Sequence, residues 1–69
     1  MTIGENIQAR RKAARLTQRQ LGEAIGKKGR SAETTVQKWE HGLQNPNVSQ
    51  LRPLCRALHC TLEELIPRE

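Results

Sequence analysis

Leu16-Thr17-Gln18-Arg19-Gln20-Leu21, then Ile25-Gly26, then Val36-Gln37-Lys38-Trp39-Glu40-His41-Gly42, are the segments whose reading decides how this chain folds. They read as two short amphipathic helices joined by a tight connection, the second keeping a polar outer face. Helix starts are marked four times by a capping residue followed three positions later by Glu or Gln, an arrangement that satisfies the orphan amides of a first turn. The pairs are Thr2 with Glu5, Thr17 with Gln20, Asn47 with Gln50, and Thr61 with Glu64.

Apolar spacing at the helical period supplies the inner faces. A first helix over about 3–14 turns in Ile3, Ile7 and Ala14, and a second over about 18–25 turns in Leu21, Ala24 and Ile25. In a third, over about 32–41, the inward set is Ala32, Val36 and Trp39, and Gly42 is a natural stop. A fourth runs through Leu51, Leu54, Cys55 and Leu58, and a last turn buries Leu62, Leu65 and Ile66. Pro53 removes a backbone bond if it lies inside a helix, so the fourth helix either begins late, near Ser49, or kinks at the proline. No stretch alternates with period two over a strand's length, and a single aromatic residue argues further against a sheet. The expectation is all-α, one compact domain over residues 1–69, with no repeat or linker.

A chain of 69 residues buries only about 60% of its unfolded surface, so it must fold economically. Twelve Lys and Arg against seven Glu leave a net charge of +5, which favours an anionic partner such as a nucleic acid or a membrane surface. The excess is confined to residues 1–40, with nine basic residues against four Glu; residues 41–69 hold three of each. No apolar run reaches the roughly 18 residues of a spanning helix, and the N-terminus lacks a signal peptide's apolar core, so a cytoplasmic protein is expected. Surface attachment to a membrane needs one strongly apolar helix face, and the first helix has too few large apolar residues. Cys55 and Cys60 form no disulfide framework and read as small, reduced core residues. With His59 they offer too few ligands for a structural zinc site, so no metal and no cofactor are expected.

Catalysis finds no support. The chain has no Asp and no Tyr, and no Gly-rich phosphate loop follows a strand. No small-molecule substrate is therefore expected.

In order and spacing the residues resemble the helix-turn-helix domain of phage repressors and Cro proteins, the XRE family. The likeness rests on Ile7 and Arg11, Leu16-Thr17-Gln18, Leu21, Ile25-Gly26, Val36, Trp39-Glu40, Gly42, Pro46, Leu54-Cys55, Leu58, Thr61-Leu62 and Leu65-Ile66. It implies a five-helix domain whose second and third helices form the helix-turn-helix, the third docking in the major groove of double-stranded DNA, usually as a dimer on an operator. It also implies that Arg11 pairs with Glu40 as a structural brace, and that Gln18 and the loop after the third helix meet phosphates. Three departures stand out. The interval from Gly26 to Trp39 is longer by about four residues, one helical turn, which places Lys27-Lys28-Gly29-Arg30 in the turn. Gly22 stands where a small Ala is usual, costing about 1 kcal/mol of helix propensity while permitting close packing. His59 occupies a position that often holds Gly, so a left-handed backbone is expected there.

With Ala32, Val36 and Trp39 inward, Glu33, Thr34, Gln37, Lys38 and His41 point out. Gln37 is the foremost candidate for base reading, since a Gln pairs in bidentate fashion with adenine, and Thr34 offers a hydroxyl and a methyl. Lys38 completes the base-reading set with Glu33, which is either a specificity device accepting a bond from cytosine or turned away. Lys27, Lys28, Arg30 and His41 join Gln18 as candidate phosphate contacts. The sequence therefore points to a DNA-binding transcriptional regulator of the Cro or phage-repressor type, acting on an inverted repeat. A different reading is a protein-interaction module, antitoxin-like or anti-repressor-binding, with secondary DNA binding. A dedicated association element would separate the two. Only three residues follow Ile66, so a weak homodimer through the surface around the fourth and fifth helices is expected.

Overall fold

A computed structural model describes residues 2–67; Met1, Arg68 and Glu69 lie outside the described residues. Five helices follow one another: α1 (Ile3–Ala13), α2 (Gln18–Ala24), α3 (Gly29–Glu40), α4 (Val48–Leu58) and α5 (Leu62–Leu65). All four expected capping boxes form in both directions. Thr2, Thr17, Asn47 and Thr61 accept from the backbone amide three residues on, and Glu5, Gln20, Gln50 and Glu64 accept in return from the cap's own amide. The stops are as local as the starts. α1, α2, α3 and α4 each end on a left-handed residue, Arg15, Gly26, Gly42 and His59. In each case the following amide reaches back to the last turn: Leu16 to Arg11, Lys27 to Gly22, Leu43 to Lys38, and Cys60 to Cys55, at 2.9–3.1 Å. This double closure satisfies carbonyls that a helix end would otherwise leave without partners. The left-handed His59 agrees with the sequence expectation; Arg15 had no such signal.

The core gathers Ile7 of α1, Leu21 of α2, Val36 and Trp39 of α3, Leu54 and Leu58 of α4 and Leu65 of α5. Trp39, 1% exposed, is its largest member, and Ala32, also fully buried, lies against Gly22 of α2. The inward face of α3 is therefore the expected one. Gly22 and Gly4 set how closely the helices approach. A Cβ on Gly22 would strike the backbone of Ala32, with the Cα at 2.6 Å, and one on Gly4 would strike the Trp39 carbonyl.

Three expectations are corrected. α3 begins at Gly29, a turn earlier than the spacing of apolar residues suggested, because Gly29 takes a left-handed φ of 58° that starts the helix without an apolar or capping signal. Arg30 consequently lies in the first turn of α3 and not in the connection. Ala24 is exposed, since Gly22 takes the side of α2 that meets α3. Leu62 and Ile66 are 47% and 41% exposed, because α5 is a single turn that sends Leu65 into the core. α4 starts at Val48, beside the expected Ser49 and behind the expected Asn47 cap, and runs on through Pro53. The bond the proline cannot make would have gone to the carbonyl of Ser49, an exposed residue where water can substitute.

The caps carry a pH dependence. Glu5 and Glu64 lie below the usual carboxylate value of 4.5, chiefly through the backbone amides of Thr2 and Thr61 and then through their hydroxyls. A lowered folded-state value means stabilisation that is present above pH 4.5 and lost as the pH falls through the folded-state values. Thermal midpoints should be level just above pH 4.5 and decline below it. Carboxyl NMR titrations should place both groups below 4.5; ordinary values for both would remove the caps as the cause.

Candidate nucleic-acid interface

The geometry of α3 follows from its packing. At 100° per residue, burying Ala32, Val36 and Trp39 turns Arg30, Thr34, Gln37, Lys38 and His41 to the opposite side, with Ser31, Glu33 and Thr35 on the flanks. Lys38 and His41 are exposed, whereas Glu33, Thr34 and Gln37 are half-buried between neighbouring residues. An open groove of about 400 Å³ runs along this side, lined by Lys27, Arg30, Ser31, Thr34, Thr35 and Lys38. Three cations and three hydroxyls face it, and no carboxylate does. The Thr35 hydroxyl donates to the Ser31 carbonyl at 2.7 Å, which leaves its oxygen able to accept but its proton engaged.

The structure thus brings Thr34, Lys38, Lys27 and Arg30 into one groove. Gln37 and Glu33 stand on its far side, Lys28 occupies the N-cap position of α3 without a side-chain bond, and His41 sits at the C-terminal end. Ser31 and Thr35 were not singled out from the sequence. The signal for Ser31 was the start of α3 itself; Thr35 lies within the expected helix, on the flank next to the outward set.

Behind this face lies the brace. Arg11 Nε donates to Glu40 Oε2 at 2.6 Å and Nη2 to Oε1 at 3.2 Å, while Nη1 donates to the Leu16 carbonyl at 2.9 Å. Gln18 Nε2 adds a bond to Glu40 Oε1 at 3.1 Å. The Glu40 side chain is fully buried and that of Arg11 is 11% exposed. The network fixes the end of α1, the connection to α2 and the first residue of α2 against the last turn of α3. Gln18 therefore keeps one amide N–H for an outside partner, and its position is held by Glu40.

A helix-turn-helix family model matches residues 7–65. Over 64 residues, 93% of the chain, the sequence is 33% identical to Repressor protein C2 of Salmonella phage P22. Over 61 residues, 88% of the chain, it is 36% identical to the HTH-type transcriptional regulator DicA of Escherichia coli strain K12. It is 32% identical over its full length to the HTH-type transcriptional activator BcrR of Enterococcus faecalis. The chain spans 28% to 42% of the length of these curated relatives. Among solved structures it superposes on the P22 c2 repressor protein in complex with synthetic operator 9T, with a TM-score of 0.86 and 30% identity, covering 100% of this chain and 98% of that one.

Proposed function

Because the chain belongs to the helix-turn-helix family of phage repressors and Cro proteins, we propose that it is a sequence-specific DNA-binding transcriptional regulator that sets α3 in the major groove of an operator. The observation that carries this reading is the outward side of α3, where a cation-rich groove without a carboxylate lies along a helix braced from behind by Arg11 and Glu40. Gln37, Thr34, Lys38 and Glu33 are assigned to base edges, and Gln18, Lys27, Lys28 and His41 to phosphates. Regulation is by occupancy: two α3 copies in successive major grooves, about one helical turn of DNA apart, exclude polymerase.

Selection of bound duplexes from a random library at about 150 mM salt tests this, since non-specific binding is then micromolar or weaker. Enrichment of an inverted repeat is expected; retention at low salt with no enrichment would sink the proposal. On the selected site Gln37→Ala should cost about 1–3 kcal/mol and relax one base position. Equal losses on every sequence would remove Gln37 from base reading.

The partner copy is assigned to the α4–α5 face. Val48, 83% exposed, lines a groove of about 740 Å³ with Leu51, Arg52, Cys55, Arg56 and Leu62, and Ile66 adjoins it across Leu62. A two-fold contact must be self-complementary. This face supplies Val48, Leu51 and Leu62, apolar side chains that can meet their own copies across a two-fold axis, with Arg52 and Arg56 of α4 beside them. Leu62→Glu is expected to leave the thermal midpoint unchanged and abolish cooperative filling of the two half-sites in gel-shift titrations. Undiminished cooperativity would place the dimer surface elsewhere.

A further inference from the structure

The placement of Arg30 separates it from the other cations near the connection. Lys27 and Lys28 precede α3, but Arg30 is its second residue and shares a stripe with Thr34 and Lys38 at spacings of four. It is exposed and lines the same groove as Ser31 and Thr34. Arg10, Arg11 and Arg19 are each held by a carboxylate, Glu64, Glu40 and Glu23 respectively. Arg30 has no such partner among the described residues, so its guanidinium is available. The helix start is open as well: Gly29 has no side chain and nothing within 4 Å of where a Cβ would stand.

A cation in a connection lies beside the sugar-phosphate backbone, whereas one on the outward stripe of a reading helix, near its N-terminus, is aimed at base edges. The planar fork of an arginine matches the two acceptors that guanine alone presents in the major groove, O6 and N7. We propose that Arg30 is a specificity-determining residue that reads a guanine next to the base pair faced by Thr34, on the side toward the N-terminus of α3. It does not serve as the phosphate contact that a place in the turn would make it. The assignment rests on the DNA-reading function proposed above and extends the reading stripe by one turn, the turn added by the long interval between Gly26 and Trp39.

The test is duplex selection with the full chain, its Arg30→Ala variant and its Arg30→Lys variant, followed by salt titrations on the selected site. The wild-type motif should contain a fixed guanine at the outer edge of the α3 contact. Arg30→Ala should lose that preference alone, weakening the selected site about tenfold to a hundredfold and leaving a site without that guanine nearly unaffected. Arg30→Lys, which keeps the charge without the fork, should preserve the salt dependence and lose part of the preference. Thermal midpoints should match throughout, because Arg30 is exposed and unpaired. An unchanged motif, with all sites weakened alike and the salt slope flattened by about one, would make Arg30 a phosphate contact and overturn the proposal. A wild-type selection without any motif would overturn the DNA-reading function itself, an outcome that does not depend on the Arg30 variants.

Discussion

Arg11→Ala should cost about 3–5 kcal/mol of folding stability and leave much of the protein unfolded at room temperature. The Glu40 carboxylate is fully buried and accepts one bond from Arg11 on each oxygen and a further bond from Gln18 on Oε1. Removing the guanidinium leaves a buried charge with one neutral donor and a Leu16 carbonyl without its partner. A small domain has roughly 5–15 kcal/mol in total, and one of this size belongs at the low end, so the loss is comparable with the whole. Urea denaturation followed by circular dichroism measures it. Arg11→Met combined with Glu40→Leu should recover most of the loss, since two apolar groups of similar size leave no orphaned charge. A single-mutant cost under about 1 kcal/mol would mean that the pair behaves as an exposed surface bridge.

Gly22→Ala should destabilise by about 3 kcal/mol, against the direction of helix propensity, which favours Ala by about 1 kcal/mol. The added methyl has no flexible neighbour to displace. It meets the backbone of Ala32 in α3, so α2 must move away from the helix it braces. Affinity for the selected operator should fall with stability, because Gln18 at the start of α2 and the reading stripe of α3 would shift relative to one another. Thermal unfolding and operator titration of the same variant check both statements. A midpoint equal to or above the wild type would show that the two helices have room to separate.

These two sites differ in how much of them the sequence disclosed. The brace was implied by the family resemblance of Arg11 and Glu40, but the third bond from Gln18 comes only with the helices in place. Gly22 was recognised as permitting close packing; the backbone contact with Ala32 makes it a requirement. Capping boxes and the inward set Ala32, Val36 and Trp39 were legible because each depends on residues within one or two turns. The start of α3 was not legible. Lys28 offers no capping side chain, and the left-handed Gly29 carries no periodic signal, so Ser31 was missed and Arg30 was placed in the turn. Leu62 and Ile66 were misplaced for another reason. Periodicity tells which residues share a side of a helix, and nothing in it tells whether another element covers that side.

The local start and stop signals also bear on how the chain reaches this structure. With boundaries written into neighbouring residues, each segment is biased toward its final helix before any distant contact exists, and assembly reduces to docking of partly formed pieces. Such chains belong to the low-contact-order class that folds in microseconds to milliseconds. α3 is the exception at its front edge, where no side chain closes the first turn. That turn, which carries Arg30, accordingly has no local signal of its own and takes its helical form from the burial of Ala32 just behind it.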